Sequence, residues 1–299
     1  MSFKYLVFIK QVPDTKNITG EAMKEDGTVN RSALPAIFNP DDQNALEMAL
    51  QLKERFGGSV TVCTMGPPTA AEALRQALYT GADEAALLTD RKFAGADTLA
   101  TSYALSCAAK KFGDATLLLC GRQAIDGDTA QVGPQLAEKL GLPQMTYVQE
   151  VINLTESTVR ARCEIEGGHE VVEGQTPLLM TVVGGANVPR PPSAKRLMQY
   201  KKAVTPTELR AANGDHAYED ANQLAEQEQK LRDRGCWIHE WSAEDVGAAP
   251  ERIGLAGSPT KVKKIESVKL AGNEYKDIPP TKQGVRSLVH ELVKEHILS

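Results

Sequence analysis

The sequence predicts an α/β protein with a doubly wound, mostly parallel sheet that continues into an antiparallel extension. Up to about residue 150, short β-rich runs alternate with helical patterns, which is typical of βαβ units. The run Ala115–Cys120 is apolar except for Thr116, as expected of a central parallel strand that is buried on both faces. After residue 145, closely spaced strands with tight turns such as Gly167-Gly168 indicate antiparallel pairing.

The first half of the chain supplies the parallel strands and their helices. Asn39 is a natural N-cap for a helix over 41–56, and Pro40 suits its first position. Thr69 and Glu72 form a capping-box pattern for a helix that reaches Tyr79. The strands are predicted over 5–9, 59–65, 85–89 and 115–120, and the other helices over 98–111 and 129–140.

The second half changes character at the glycine pair that follows residue 183. Before it, we expect antiparallel strands over 146–152, 158–165, 170–172 and 178–183. Beyond it, the chain is polar, with few predicted strands and a polar helix over 218–234. We therefore expect an α/β nucleotide-binding domain over 1–185. The remainder, 186–299, is interpreted as an arm that packs on another surface.

Composition excludes several classes of function. Hydrophobic residues make up 41% of the chain and charged residues 24%, which is ordinary for a soluble globular protein. A net charge of −5 and an aromatic content of 5% argue against nucleic-acid binding. The apolar run over 5–9 is too short for a signal peptide or a membrane span, so we expect a cytoplasmic protein without membrane insertion. The five cysteines form no CxxC pair, and we expect no metal site.

The loop Gly121–Gly133 is the strongest candidate for a binding site, because doubly wound sheets bind ligands at the carboxyl ends of their strands. Its glycines permit close approach of a ligand, and Asp128 or Thr129 can cap the helix that follows. The free N–H groups at that helix start, with Arg122 and Gln123, would suit a dinucleotide pyrophosphate or a mononucleotide phosphate. A well-capped connection without a ligand explains the same residues.

The known catalytic motifs are absent from the sequence. It has no GxxxxGK[ST], no GxGxxG after a strand, no GxSxG and no HExxH, and its five histidines do not cluster. None of these motifs therefore points to a catalytic side chain.

Four segments together resemble the β subunit of electron transfer flavoproteins: Lys10–Asp14, Asn39–Asp42, Gly81–Asp83 and Gly121–Gly133. Their order and spacing agree with the family over roughly residues 1–205, and 237–265 resembles its C-terminal region. The resemblance implies an adenine nucleotide α-hydrolase-like fold. It also implies a C-terminal arm that packs on the α subunit, which carries an FAD.

The stretch Asp90–Thr98 is similar to a signature of the bifurcating branch of this family. In that branch the β subunit binds a second FAD, which takes a hydride from NADH. One electron then goes to ferredoxin or flavodoxin, and the other passes through the α-subunit FAD to an acyl-CoA dehydrogenase. The alternatives are the conventional branch, which holds AMP and does not oxidise NADH, and an unrelated nucleotide-binding regulator of the same fold class.

The resemblance also implies site residues by position. Arg91 would stabilise charge on reduced flavin, and Phe93 would pack on a ring. The cofactor-binding residues implied are Phe8, Lys10, Asn39, Asp41, Met65, Gly66, Asp90, Arg91, Phe93, Gly121, Arg122, Gln123, Asp128, Thr129, Ala130, Gln131, Val132 and Gly133.

The segment 188–204 aligns with the loop that docks on the dehydrogenase in this family. The docking residues implied are Ala194, Leu197 and Met198. Ala194 stands where the AMP-binding branch has a leucine anchor, and a smaller apolar side chain weakens such an anchor.

Overall fold

The computed structural model describes residues 2–14, 34–213, 221–260 and 277–294. The chain divides into two compact units, Met1–Val262 and Lys263–Ser299. In the second unit, one helix is described, α8 (Lys282–Lys294). All other elements belong to the first unit, which therefore includes the beginning of the expected arm.

The first unit contains strands and helices in alternation. Its strands are β1 (Lys4–Phe8), β2 (Gln11–Pro13), β3 (Ala36–Phe38), β4 (Ser59–Met65), β5 (Glu84–Leu88), β6 (Leu117–Gly121), β7 (Gln144–Leu154), β8 (Thr158–Ile165), β9 (Gly168–Gln175), β10 (Leu178–Val182) and β11 (Ile238–Trp241). Its helices are α1 (Pro40–Phe56), α2 (Ala71–Thr80), α3 (Thr98–Phe112), α4 (Val132–Leu140), α5 (Ala194–Tyr200), α6 (Pro206–Asn213) and α7 (Ala221–Asp233). The first residues of the polar helix expected over 218–234 lie outside the described part of the chain.

Nine of the described strands form one sheet in the order β11-β5-β4-β1-β6-β10-β7-β8-β9. Strands β11 to β7 in this order run parallel, and β7, β8 and β9 are antiparallel neighbours. Strands β2 and β3 form a separate antiparallel pair. The expected mostly parallel sheet with an antiparallel extension is confirmed.

Helices cover both faces of the sheet. Along β1, Tyr5 and Val7 belong to the core that includes α1 and α2. Leu6 and Phe8 belong to the core that includes α3 and α4. Because successive side chains of a strand point to opposite faces, this alternation places one helix pair on each side of the sheet. The arrangement is the doubly wound architecture that the sequence predicts.

The antiparallel pairing predicted for the last strand, β10, is wrong. After the β7–β9 meander the chain returns between β6 and β7, and β10 is parallel to both. All five of its residues, Leu178–Val182, are buried. An apolar run that is buried on both faces suits a central parallel position rather than an edge hairpin.

The polar C-terminal region contributes an edge strand that the sequence does not indicate. Strand β11 pairs in parallel with β5, and Val204 forms an isolated parallel bridge with Trp237. This pairing incorporates residues beyond 185 into the sheet of the first unit.

Asn39 and Pro40 take the predicted N-cap and first positions of α1, but details of three helix starts differ from the predictions. The side chain of Asn39 makes no capping hydrogen bond to α1. A 3₁₀ turn, Pro68–Ala70, precedes α2, which also lacks a side-chain cap. Helix α4 begins at Val132 instead of residue 129, because Asp128 and Ala130 have positive φ angles that interrupt a helix.

Candidate functional site

A pocket of about 390 Å³ opens at the carboxyl ends of three neighbouring parallel strands. Phe8 ends β1, Met65 ends β4 and Gly121 ends β6, and all three line the pocket. This is the position at which doubly wound sheets bind ligands. The volume lies in the lower part of the usual range for small-molecule sites, roughly 300–1,000 Å³.

Most of the cofactor residues predicted from the sequence meet at this pocket. The ones that line it are Phe8, Lys10, Met65, Phe93, Gly121, Arg122, Gln123, Asp128, Thr129, Ala130, Gln131, Val132 and Gly133. The remaining five, Asn39, Asp41, Gly66, Asp90 and Arg91, are not among the lining residues.

Two of these five residues lie on the loop between β5 and α3. Asp90 accepts a hydrogen bond from the backbone N–H of Lys92 at 3.0 Å and another from that of Ala243 at 3.2 Å. Arg91 is exposed at the start of the 3₁₀ turn Arg91–Phe93. The structure therefore does not bring Arg91 into the pocket, whereas Phe93, two residues later, is buried and lines it.

Sequence reasoning missed several lining residues. Thr101 and Leu105 lie one helical turn apart on α3, a spacing that a search for a shared helix face would find. Asp42, Gly95 and Asp97 belong to segments that had been singled out, without being assigned to the site. The lining residues that were not predicted are Ile9, Asp42, Gly95, Ala96, Asp97, Thr98, Thr101, Leu105, Cys120, Ala124, Asp126 and Gly127.

The backbone between Asp128 and α4 lines the pocket and has dihedral angles that suit an anion-binding turn. Asp128 has φ 51° and Ala130 has φ 52°, whereas Gln131 has helical angles of −101° and −28°. A left-handed residue next to a right-handed one turns successive N–H groups toward a common point, which suits an anion. Because Gln131 provides no side-chain cap, the first N–H groups of α4 add to this donor set.

Asn39 fixes the middle of the loop instead of capping α1. Its Nδ2 donates to the carbonyl of Gln123 at 2.8 Å, and its Oδ1 accepts from the N–H of Ile125 at 3.1 Å. These two bonds explain why its side chain makes no cap. They hold the pocket loop against the start of α1.

Asp42 joins the ends of two strands beneath the pocket. One carboxylate oxygen accepts from the N–H of Lys10 at 2.8 Å, and the other from the N–H of Gly121 at 2.9 Å. Burial raises the pKa of Asp42 to about 7, although hydrogen bonds from Gly121, Asn39 and Lys10 act in the opposite direction. The side chain is a positioning group for the ends of β1 and β6.

Arg122 and Asp41 form an incompletely bonded pair beside the pocket. Arg122 Nε lies 3.6 Å from Asp41 Oδ2, and both atoms are buried without a hydrogen-bond partner among the described residues. Burial raises the pKa of Asp41, and the charge of Arg122 lowers it. Buried polar atoms normally have partners, so the pair fits a polar ligand that reaches the Arg122 side of the pocket.

An ion pair lies at the pocket rim. Lys10 Nζ is 2.7 Å from Asp126 Oδ2, and the side chain of Lys10 is 47% exposed. Such an exposed pair adds little stability, so it can open at small cost. The described residues contain no group of three or more His, Cys, Asp or Glu suited to a metal ion.

The predicted docking residues lie on α5. Ala194, Leu197 and Met198 are all exposed, and Met198 is 63% accessible. Arg196 anchors the helix by donating from Nε to the carbonyl of Leu78 at 2.7 Å and from Nη2 to that of Ala82. None of the helices in the described ranges combines the length and hydrophobicity that a membrane crossing needs.

The chain is similar to known proteins over nearly its whole length. A family model described as the electron transfer flavoprotein domain matches residues 26–209. An electron transfer flavoprotein subunit beta from Clostridium acetobutylicum is 42% identical over 293 residues, which are 98% of this chain and 99% of the relative. The caffeyl-CoA reductase-Etf complex subunit CarD of Acetobacterium woodii is 40% identical over 297 residues, covering 99% of this chain and 100% of that protein.

The chain is also similar to a protein that is not named as an electron transfer flavoprotein. Protein FixA of Bradyrhizobium diazoefficiens is 42% identical over 267 residues, covering 87% of this chain and 81% of that protein. The family model matches more than half of the chain. The fold of the chain also agrees with the resemblance noted in the sequence. The chain therefore belongs to the electron transfer flavoprotein family, among its β subunits.

Proposed function

We propose that this chain is the β subunit of a bifurcating electron transfer flavoprotein. Its pocket would bind FAD and receive NADH at the open side. When bound, FAD would supply the redox chemistry by accepting a hydride and releasing its electrons singly. One electron would go to ferredoxin or flavodoxin, and the other, through the α-subunit FAD, to an acyl-CoA dehydrogenase.

The observation that carries this proposal is the position of the stretch Asp90–Thr98. Phe93 and Gly95 line the pocket together with the loop Gly121–Gly133. The two segments meet where Thr98 Oγ1 donates to Gln131 Oε1 at 2.9 Å. A segment that resembles the bifurcating signature therefore forms a wall of the candidate nucleotide pocket, where it would face a ligand.

The residues present suit a dinucleotide phosphate. The N–H groups around Ala130 and the start of α4 would hold the phosphates, with Arg122 as a cationic donor. Gln123 Nε2 donates to Asp128 Oδ1 at 3.0 Å, which fixes the Asp128 carboxylate as an acceptor for ribose hydroxyls. No side chain needs to transfer a proton, because a hydride passes directly between cofactors.

A conventional, AMP-binding β subunit is the second candidate, and two observations favour it. Arg91 is exposed outside the pocket. The pocket volume of about 390 Å³ lies near the lower end of the range for ligand sites, which suits a mononucleotide. In this case the subunit would take part in electron transfer without oxidising NADH.

The proposed partners follow from family membership and from the exposed surface. We infer an α subunit as the obligatory partner, with the C-terminal region after residue 186 contributing to its binding. The name of CarD places that relative with a caffeyl-CoA reductase, which supports a partner enzyme that acts on CoA esters. Leu197 and Met198 are the apolar side chains that would dock on it. We propose a cytoplasmic location, because NADH and the proposed carriers are cytoplasmic.

The test is to purify the chain together with its α subunit and to identify the bound nucleotides. We expect FAD in both subunits and bleaching of the β-subunit flavin by NADH. A complex with FAD in the α subunit, AMP in the β subunit and no response to NADH would reject bifurcation and support the second candidate. A chain that binds neither nucleotide would reject both.

A further inference from the structure

The pocket wall formed by Asp90–Thr98 is held by a segment that does not itself line the pocket. Asp97 Oδ1 accepts from the N–H of Ala100 at 3.0 Å, which caps α3. Its other oxygen, Oδ2, accepts from the N–H of Thr260 at 3.1 Å and from Thr260 Oγ1 at 2.7 Å. One carboxylate therefore joins the start of α3 to a residue 163 positions later in the chain.

Ser258 makes a second connection to the same wall. Its Oγ accepts from the N–H of Asp97 at 2.8 Å and donates to the carbonyl of Gly254 at 2.6 Å. The side chain is 6% exposed, so these bonds are largely shielded from water. Gly254 has φ 54°, and a Cβ there would lie 2.1 Å from the carbonyl oxygen of Lys92. The segment 254–260 thus lies directly against the wall.

The charge on Asp97 favours these contacts. Burial acts to raise its pKa, but hydrogen bonds from Ala100 and Thr260 lower the pKa below its usual value. The carboxylate is therefore ionised at neutral pH, and its bonds to Thr260 are charge-assisted, which makes them stronger than neutral ones. By contrast, the part of the wall that precedes α3 has only a short 3₁₀ turn, Arg91–Phe93, as regular structure.

We propose that Thr260 and Ser258 are positioning residues that hold Gly95–Thr98 in the conformation that binds an adenine nucleotide. The inference rests on the proposed nucleotide pocket, and it extends that proposal to residues that do not contact the ligand. Without the Thr260 hydroxyl, the wall opens more often. The nucleotide then binds more weakly, while the rest of the first unit stays folded.

The test compares Thr260→Val, Thr260→Ser and Thr207→Val in the full chain. Valine removes the hydroxyl but keeps the shape and the N–H donor, and serine restores the hydroxyl. Thr207 is a matched control because its N–H and Oγ1 donate to the carboxylate of Glu240 in the same way, and Thr207 does not line the pocket. Hydrogen exchange of the amides of 95–97 is measured without nucleotide, and the affinities for FAD and AMP are measured separately.

Thr260→Val is expected to speed exchange of the amides of 95–97 by about three- to tenfold and to weaken binding by a similar factor. This is the range for an ordinary hydrogen bond and lies below that for a shielded bond to a charged group, since Thr260 is exposed. Thr260→Ser should restore both properties, and Thr207→Val should change neither.

Exchange at 95–97 that matches the wild type in Thr260→Val would overturn the proposal, as would a loss of protection throughout the unit. If the wild-type chain binds neither FAD nor AMP, the proposed function fails. The exchange measurement still decides whether Thr260 holds the wall.

Discussion

Asp42 has both carboxylate oxygens bonded to backbone N–H groups at the floor of the pocket, yet burial raises its pKa to about 7. In the unfolded chain the pKa returns to its ordinary value near 3.8. Between these two values the folded state binds more protons than the unfolded state. The contribution of Asp42 to stability therefore falls as pH rises through this window and becomes constant above about 7.

Asp42→Asn should remove this pH dependence and lower the overall stability. The amide keeps one acceptor and places an N–H₂ group against a backbone N–H, so one buried hydrogen bond is lost at a cost of about 1–3 kcal/mol. Urea unfolding of both proteins between about pH 5 and pH 8 measures the effect. The difference in the free energy of unfolding between the wild type and the variant should become smaller as pH rises to about 7. Parallel pH curves for the two proteins would contradict the raised pKa.

Phe93 and Arg91 lie two residues apart, but the structure gives them different roles. Phe93 is 6% exposed and lines the pocket, whereas Arg91 is exposed. Phe93→Leu should weaken FAD binding by about three- to tenfold through the loss of aromatic contact. Arg91→Ala should stay within about twofold of the wild type, as most exposed substitutions do.

Equilibrium titration with FAD checks the pair, and thermal unfolding shows that both variants remain folded. The interpretation of Arg91 from the resemblance, as a residue that stabilises charge on reduced flavin, makes the opposite prediction. A large effect of Arg91→Ala on flavin affinity or reduction potential would show that Arg91 acts on the flavin.

The start of α4 would supply N–H groups to the proposed phosphate site, and Gly133 lets this helix approach the sheet. A Cβ at this position would lie 2.6 Å from Thr181 Cγ2 and 2.9 Å from Cys120 Sγ, both on buried strands. Gly133→Ala should therefore destabilise the first unit by about 1–3 kcal/mol through overpacking, despite the helix preference of alanine. Gly127→Ala is the control in the same loop, since no atom lies within 4 Å of its Cβ position.

Chemical denaturation of the two glycine variants separates packing from loop flexibility. Gly127→Ala should unfold within about 0.5 kcal/mol of the wild type. If both variants lose the same free energy of unfolding, the loop is sensitive to added side chains, and the contact of α4 with β6 and β10 is not the cause.

Local sequence patterns predict elements well when neighbouring residues determine them. Asp97 follows the usual capping rule for α3, and the structure bears it out. Asn39 has the same potential, but the loop Gly121–Gly133 competes for its side chain across 84 and 86 positions of the chain. The start of α4 differs from the prediction for a related reason. Left-handed backbone is uncommon for residues other than glycine, above all for Ala130, and it leaves no clear pattern in the sequence.

At the scale of the whole molecule, the alternation of strands and helices predicts the doubly wound sheet, because each βαβ unit is local. The positions of β10 and β11 depend instead on pairings with distant strands. Strand β10 leaves an antiparallel meander to enter the parallel region, and β11 reaches the opposite edge after more than 50 further residues. Nothing in their few residues encodes such partners. The composition of β10, which is apolar except for Thr181, nevertheless indicates a central position.

Arg190 connects the chain that follows the sheet to α1. Its Nε donates to Glu47 Oε2 at 2.7 Å, its Nη2 donates to Glu47 Oε1 at 2.9 Å, and its Nη1 bonds to Glu54 Oε1 at 2.5 Å. The side chain of Glu47 is only 5% exposed. Because the segment after Arg190 leads to α5, this contact positions the exposed Leu197 and Met198 relative to the sheet.

Arg190→Ala should leave the buried Glu47 carboxylate without its partner and destabilise the first unit by about 2–3 kcal/mol. This is below the usual cost of breaking a fully buried pair, because the side chain of Arg190 is 29% exposed. Arg162→Ala, which breaks the exposed pair with Glu150, is the control and should cost at most about 1 kcal/mol. Urea unfolding gives the two free energies, and limited proteolysis reports access to 186–200. Arg190→Ala should be cleaved faster there, whereas unchanged cleavage and a small free-energy loss would mean that other contacts, such as those of Arg196 and Tyr200, hold α5 without Arg190.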